Sequence, residues 1–153
     1  MGQIIHKEIY DLLSSLDNTR PNILETGCTY TRSIARWVQS HPDSNFVCVD
    51  LNFGLLLDTH KELEKDGTAR YCTFLSQEHE KWLLKATWLD IAFLNPADLH
   101  SGLSEFNLAI SAGAKIVVFT DYQTRGAIAI RQAKEMGWEY ESIGSLNILR
   151  RPK

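Results

Sequence analysis

Ile23 and Leu24 run into Glu25, Thr26 and Gly27, and Thr29, Thr31 and Ser33 follow closely. An apolar run that ends on an acid and a glycine, before a hydroxyl-rich stretch, has the makings of a ligand-holding turn between a strand and a helix. Gly27 lets the backbone turn sharply and come close to a ligand. The hydroxyls, with the free N–H groups of a helix start, can hydrogen-bond a carboxylate or phosphate. The G-x-G-x-x-G pattern is absent, because Thr29 stands where its second glycine would be, so a dinucleotide pyrophosphate fits poorly. Asp50 ends the next strand-like run, where an acid is placed to accept hydrogen bonds from both hydroxyls of a ribose. Together these residues describe a nucleoside site without a pyrophosphate cradle. A solvated loop is the plainer alternative, since a glycine after a strand more often makes a simple turn.

The elements around that turn must place it. Apolar residues at helical spacing predict an amphipathic helix over 4–16. Strand-like runs are expected at 22–26, 46–50, 70–75, 89–94 and 115–120, alternating with helices at 31–40, 55–65, 78–86, 103–112 and 126–136. Two short runs across Gly144 and Ser145 suit a hairpin with a two-residue turn. Strands that are continuously apolar and alternate with helices imply a parallel sheet covered on both faces. The expected fold is therefore α/β and doubly wound. Its mostly parallel, seven-stranded sheet ends in an antiparallel hairpin, in one domain over residues 1–153, with residues 1–20 as a covering helix on a core at 22–150. In such a sheet, ligands sit beyond the carboxyl ends of the strands where the strand order reverses. The first strand–helix turn lies there.

Composition sets the limits. With 44% hydrophobic and 23% charged residues, the chain reads as globular, not disordered. A net charge of −3 gives no electrostatic reason to expect nucleic acid. No apolar run is long enough for a membrane helix, and charges interrupt the apolar N-terminal stretch, so no signal peptide is expected. Cys28, Cys48 and Cys72 lack metal spacing and read as reduced thiols of a cytoplasmic protein. His6, His41, His60 and His79 fall on polar faces or in loops and are expected to be solvated. Trp37, Trp82, Trp88 and Trp138 are expected in the core.

The E-x-G turn, the serine six residues past its glycine and the acid after the second strand resemble the class I S-adenosylmethionine-dependent methyltransferases. The likeness is nearest to their small-molecule O-methyltransferase branch, catechol-type and macrocin-type enzymes included. It runs from about residue 22 to 150. It implies S-adenosylmethionine as cofactor, with Glu25 and Gly27 lining its methionine side and Ser33 holding its carboxylate. Asp50 would bind the ribose, with Leu51 beside the adenine and Ser76 and Gln77 near the adenine edge. Thr31 departs from the pattern, standing where many relatives have glycine.

On the acceptor side, the resemblance matches Asn95, Asp98 and His100, after the fourth strand, and Asp121, after the fifth, to catalytic positions. An acid or imidazole there could take a proton from the acceptor, while methyl transfer itself is mainly a positioning task. Asp98 and His100 have a plainer use in capping a following helix, and Asp121 in a cap or turn. Catechol-type relatives bind a divalent cation through acids at two of these places; Asn95, and Tyr122 after Asp121, supply too little charge, so no metal is expected. The partner expected is a small-molecule substrate. The chain has no long insertion to close over an acceptor, so a homodimer that lends a lid is also expected. A cofactor-binding module with lapsed chemistry, and a nucleotide-binding domain of another kind, remain open. "NPAD" half-resembles the signature of amino-methyltransferases acting on nucleic acid or protein, but lacks its second proline and its aromatic.

Overall fold

The computed structural model describes residues 5–120 and 125–153. In chain order the elements are α1 (Lys7–Ser14), β1 (Asn22–Thr26), α2 (Thr31–Ser40), β2 (Asn45–Asp50) and α3 (Phe53–Lys65). A 3-10 turn (Ala69–Tyr71) leads into β3 (Thr73–Ser76), α4 (His79–Lys85), β4 (Ile91–Leu94) and α5 (Leu99–Ser111). The chain continues through β5 (Ile116–Phe119), α6 (Ala127–Glu135), β6 (Glu139–Ile143) and β7 (Leu146–Arg150). The seven strands form one sheet in the order β3-β2-β1-β4-β5-β7-β6. β1 to β5 run parallel, while β7 is antiparallel to both β5 and β6. This is the doubly wound sheet with its closing hairpin. The strand order reverses between β1 and β4, so the turn after β1 lies at the switch point.

Alternation along each strand sends neighbouring side chains to opposite faces. On one face Ile23, Cys48, Phe93 and Val118 pack with Ile9 and Leu13 of α1, Ile34 and Val38 of α2, and Leu63 of α3. On the other, Leu24, Val49, Ala92, Val117 and Leu149 pack with Leu83 of α4, Phe106 and Ala109 of α5, and Ile130 of α6. Beyond Leu24 the same alternation turns Glu25 towards α2 and Thr26 towards α5. That one-residue offset governs the site.

Three element starts lie three residues or more from the expected ones. α1 begins at Lys7, because His6 takes an extended conformation ahead of it. β3 begins at Thr73, and its pairing with β2 starts at Thr73 opposite Val47. Residues 69–71 turn instead, with the Tyr71 N–H donating to the Thr68 carbonyl at 3.0 Å. α5 starts earlier than its apolar run, because Asp98 caps it by accepting from the Ser101 N–H at 2.8 Å. Trp37 and Trp138 are buried as expected, but Trp88 is 46% exposed, with Trp82 packed edge-on against it. No helix of the described residues is long and apolar enough to cross a membrane.

Candidate functional site

Glu25 does not open onto solvent or a cavity; it is buried beneath the start of α2. Its Oε2 accepts the N–H of Tyr30 at 2.6 Å and of Thr29 at 3.1 Å, and its Oε1 accepts the Thr31 hydroxyl at 2.5 Å. The N–H groups that might have held an anionic ligand are thus taken by the chain's own carboxylate. Burial pushes the Glu25 carboxyl up from 4.5 to about 7, against the pull of the hydrogen bonds from Thr31, Tyr30 and Thr29. Gly27 adopts φ +78°, a region that side chains disfavour. A methyl there would stand 2.8 Å from Asn95 Nδ2. Ser33 lies one turn into α2, fully buried, where its Oγ accepts the His6 N–H at 2.9 Å.

The cavity at the switch point, about 480 Å³, is lined by Asp50, Leu51, His79, Asn95, Glu105 and Arg125, among others. Of the residues foreseen from sequence, Asp50, Leu51 and Asn95 reach it. Glu25 and Gly27 shape the turn behind it, and Ser33 faces the N-terminal segment instead. Ser76 and Gln77 brace the backbone at the end of β2: Gln77 N–H donates to the Asp50 carbonyl at 3.1 Å, and the Ser76 hydroxyl to the Leu51 carbonyl at 3.4 Å. Asp98 and His100 are exposed at the start of α5 and do not line the cavity. The Ser101 N–H holds the Asp98 carboxyl below its ordinary value, which leaves a poor base. Asp121 lies outside the described residues.

Asn95 joins the parts. Its N–H donates to Thr26 Oγ1 at 3.0 Å, its Nδ2 to Thr29 Oγ1 at 3.2 Å, and its Oδ1 accepts from Arg125 Nη1 at 2.9 Å and Thr120 Oγ1 at 3.3 Å. The Thr26 hydroxyl passes the chain on to Glu105 Oε1 at 3.0 Å. Glu105 Oε2 meets His79 Nδ1 at 3.2 Å, and His79 Nε2 lies 3.5 Å from Asp50 Oδ2. A continuous polar path therefore links the ends of β4, β1 and β2.

Sequence reading missed His79 and Glu105. His79 is not solvated: it starts α4 just beyond β3 and bridges two carboxylates. Glu105, only 2% exposed, shares the buried stripe of α5 with Gly102, Phe106 and Ala109. That helical spacing was visible in the sequence and marks Glu105 as inward-facing. Burial works against a charge on His79, but the hydrogen bond and charge of Glu105, with the charge of Asp50, outweigh it and raise its value. The sign follows. The stability from protonated His79 is complete below its unfolded value of about 6.5, and is lost as pH rises through the elevated folded value. His79→Gln keeps an N–H donor but not the charge. It should lower stability by about 1–2 kcal/mol at pH 6, with the deficit shrinking towards pH 9. Urea midpoints for both proteins across that range check it; a deficit independent of pH would place the role in packing instead.

No family model matches the chain, and no curated protein matches it. Solved structures do. An S-adenosylmethionine-dependent O-methyltransferase from Thermotoga maritima superposes with TM-score 0.72 at 13% identity, covering 100% of this chain and 68% of that one. A methyltransferase from Geobacter sulfurreducens gives 0.71 at 13%, covering 99% and 81%. The O-methyltransferase TomG of Streptomyces achromogenes, involved in tomaymycin synthesis and solved with S-adenosylmethionine, gives 0.68 at 16%, covering 97% and 82%. The chain shares the fold of these methyltransferases.

Proposed function

We propose that this protein is an S-adenosylmethionine-dependent methyltransferase acting on a small-molecule acceptor. The observation that carries this reading is Asp50, which ends β2 beside the switch point. The Asn52 N–H fixes its Oδ1 at 2.7 Å, and His79 stands next to its Oδ2. An ionised carboxylate offers about four lone-pair sites, so lone pairs remain for the paired hydroxyls of a ribose. Leu51, 62% exposed at the cavity rim, offers an apolar face to a purine. Asp50, Glu78, Glu80 and Glu105 outnumber Arg125 and His79 in the cavity lining, which leaves it acidic and suits a cofactor carrying a sulfonium. The residues present therefore fit S-adenosylmethionine.

When bound, that cofactor supplies an electrophilic methyl group. The chain supplies position. Asp50 and Leu51 would orient the nucleoside. Glu25, from behind, holds the turn in shape, and Asn95 fixes the distance between that turn and the ends of β4 and β5. Because Asn95 is an amide and hydrogen-bonded on both sides, we assign it a positioning role. Asp98 caps α5 and, like His100, does not line the cavity, so neither is assigned a part in proton transfer. A second reading, cofactor binding without turnover, is favoured by one observation: no described carboxylate extends from β4 where an acceptor proton would be taken.

Calorimetry tests the cofactor. S-adenosylhomocysteine should bind, NAD should not, and binding should survive EDTA. Asp50→Ala should weaken binding by about 1.5–3 kcal/mol. Equal affinity in wild type and variant would remove Asp50 from the site. Binding without methyl transfer to any of a panel of small hydroxylated acceptors would favour the second reading.

A further inference from the structure

Two thiols lie against each other beside the turn. Cys28 directly follows Gly27, and Cys48 sits within β2, opposite Glu25 in the register. Their Sγ atoms are 3.4 Å apart and unbonded. They differ in access. Cys48 is fully buried, and its thiol also lies within donating distance of the Gly27 carbonyl at 3.3 Å. Cys28 is half-buried and lines a second cavity of about 530 Å³ between the turn and α3, along with Arg32, Leu55 and Thr59. A small oxidant can reach Cys28 by that route, while Cys48 is fully buried with its sulfur against that of Cys28. We propose that Cys28 and Cys48 are a reversible oxidation site, with Cys28 the attacking thiol and Cys48 the resolving one.

Electrostatics agree with that division. The hydrogen bond from Cys48 lowers the Cys28 thiol, outweighing burial and the charge of Glu25. The same bond, together with burial, pushes Cys48 up and keeps it protonated. With hydrogen peroxide as oxidant, the Cys28 thiolate attacks one peroxide oxygen, the O–O bond breaks, Cys28 becomes a sulfenic acid, and the hydroxide that leaves takes up the proton the Cys28 thiol gave up, forming water. Cys48 sulfur then attacks the Cys28 sulfur. The S–O bond breaks, and the departing hydroxide takes the Cys48 proton as a second water. The sum is two thiols and one peroxide giving one disulfide and two waters. The product pins the turn onto β2, two residues before Asp50.

The test is stoichiometric peroxide on the folded protein, followed by alkylation in denaturant and non-reducing peptide mapping. Free thiols should fall from three to one, with Cys72 the alkylated survivor. A Cys28–Cys48 peptide lacking two hydrogens should appear and vanish with dithiothreitol. Cys48→Ser should stop at a Cys28 sulfenic acid captured by dimedone. If that variant does not fold, Cys28→Ser serves, because Cys48 should then stay reduced under the same treatment. A crosslink that includes Cys72, three surviving thiols, or oxidation of Cys48 without Cys28 would overturn the proposal.

Discussion

Glu25→Ala should destabilise the protein by about 4 kcal/mol, because it removes the acceptor for two backbone N–H groups and a hydroxyl, of which those of Tyr30 and Thr31 belong to buried residues. Glu25→Gln should behave quite differently. Its carbonyl oxygen can take the N–H groups of Thr29 and Tyr30, and its amide can donate to Thr31 Oγ1 once that hydroxyl rotates. The contrast depends on pH. The folded value of Glu25 is raised from 4.5 to about 7, so its favourable contribution is complete below about pH 4.5 and is lost as pH rises to about 7. That gap corresponds to about 3 kcal/mol. Glutamine does not titrate. Wild type and Glu25→Gln should therefore match in urea midpoint at about pH 4, with the variant pulling ahead by up to about 3 kcal/mol at about pH 8. Other carboxylates are common to both proteins and cancel in the difference. Parallel stability curves would show that Glu25 does not carry this charge penalty.

Gly27→Ala should combine a loss of stability of about 2–4 kcal/mol with loss of cofactor binding. Two causes act together. The left-handed backbone costs an alanine about 1–2 kcal/mol, and its methyl would press on Asn95 Nδ2 at 2.8 Å. Moving Asn95 disturbs its bonds to Thr29, Arg125 and Thr120, the ties that hold the turn to the ends of β4 and β5. The two causes separate in a double-mutant cycle. Asn95→Ala removes the nearest obstructing atom, leaving the Cβ at 3.1 Å and the φ strain, so the double variant should be less damaged than the sum of the two single ones. Additive losses in denaturation would mean that the contact with Asn95 contributes nothing.

Much of this architecture is readable from the residues. β1, α2 and the hairpin across Gly144–Ser145 fall where the apolar pattern and the turn residues put them, because local signals and tertiary pairing agree there. β3 starts late because Arg70, Tyr71 and Cys72 look strand-like in isolation while the 3-10 turn consumes Ala69–Tyr71, and pairing with β2 begins only at Thr73. Asp50 and Asn95 could be found by their places at strand ends. Glu25 looked like a ligand contact for the same reason, yet strand alternation turns it beneath α2; its place in sequence gave its depth but not its direction. His79 and Glu105 were hidden differently. Each is a polar residue on a helix that satisfies the other across two elements, and such a pairing becomes visible only when α4 and α5 are packed together.

The placement of β7 bears on how the molecule is made. β7 is the last strand in the sequence, yet it lies inside the sheet, between β5 and β6. During synthesis β6 precedes its sole neighbour, and the free edge of β5 carries Ile116, Val117, Val118 and Phe119, which are buried in the finished fold. Until residues 146–150 leave the ribosome, that apolar edge has no strand to cover it, and an uncovered edge of this kind pairs readily with other chains. Pairing in this half of the sheet therefore has to wait for residues 146–150. A nascent chain that stalls after β6 would present a sticky strand, which gives chaperones their reason to hold it.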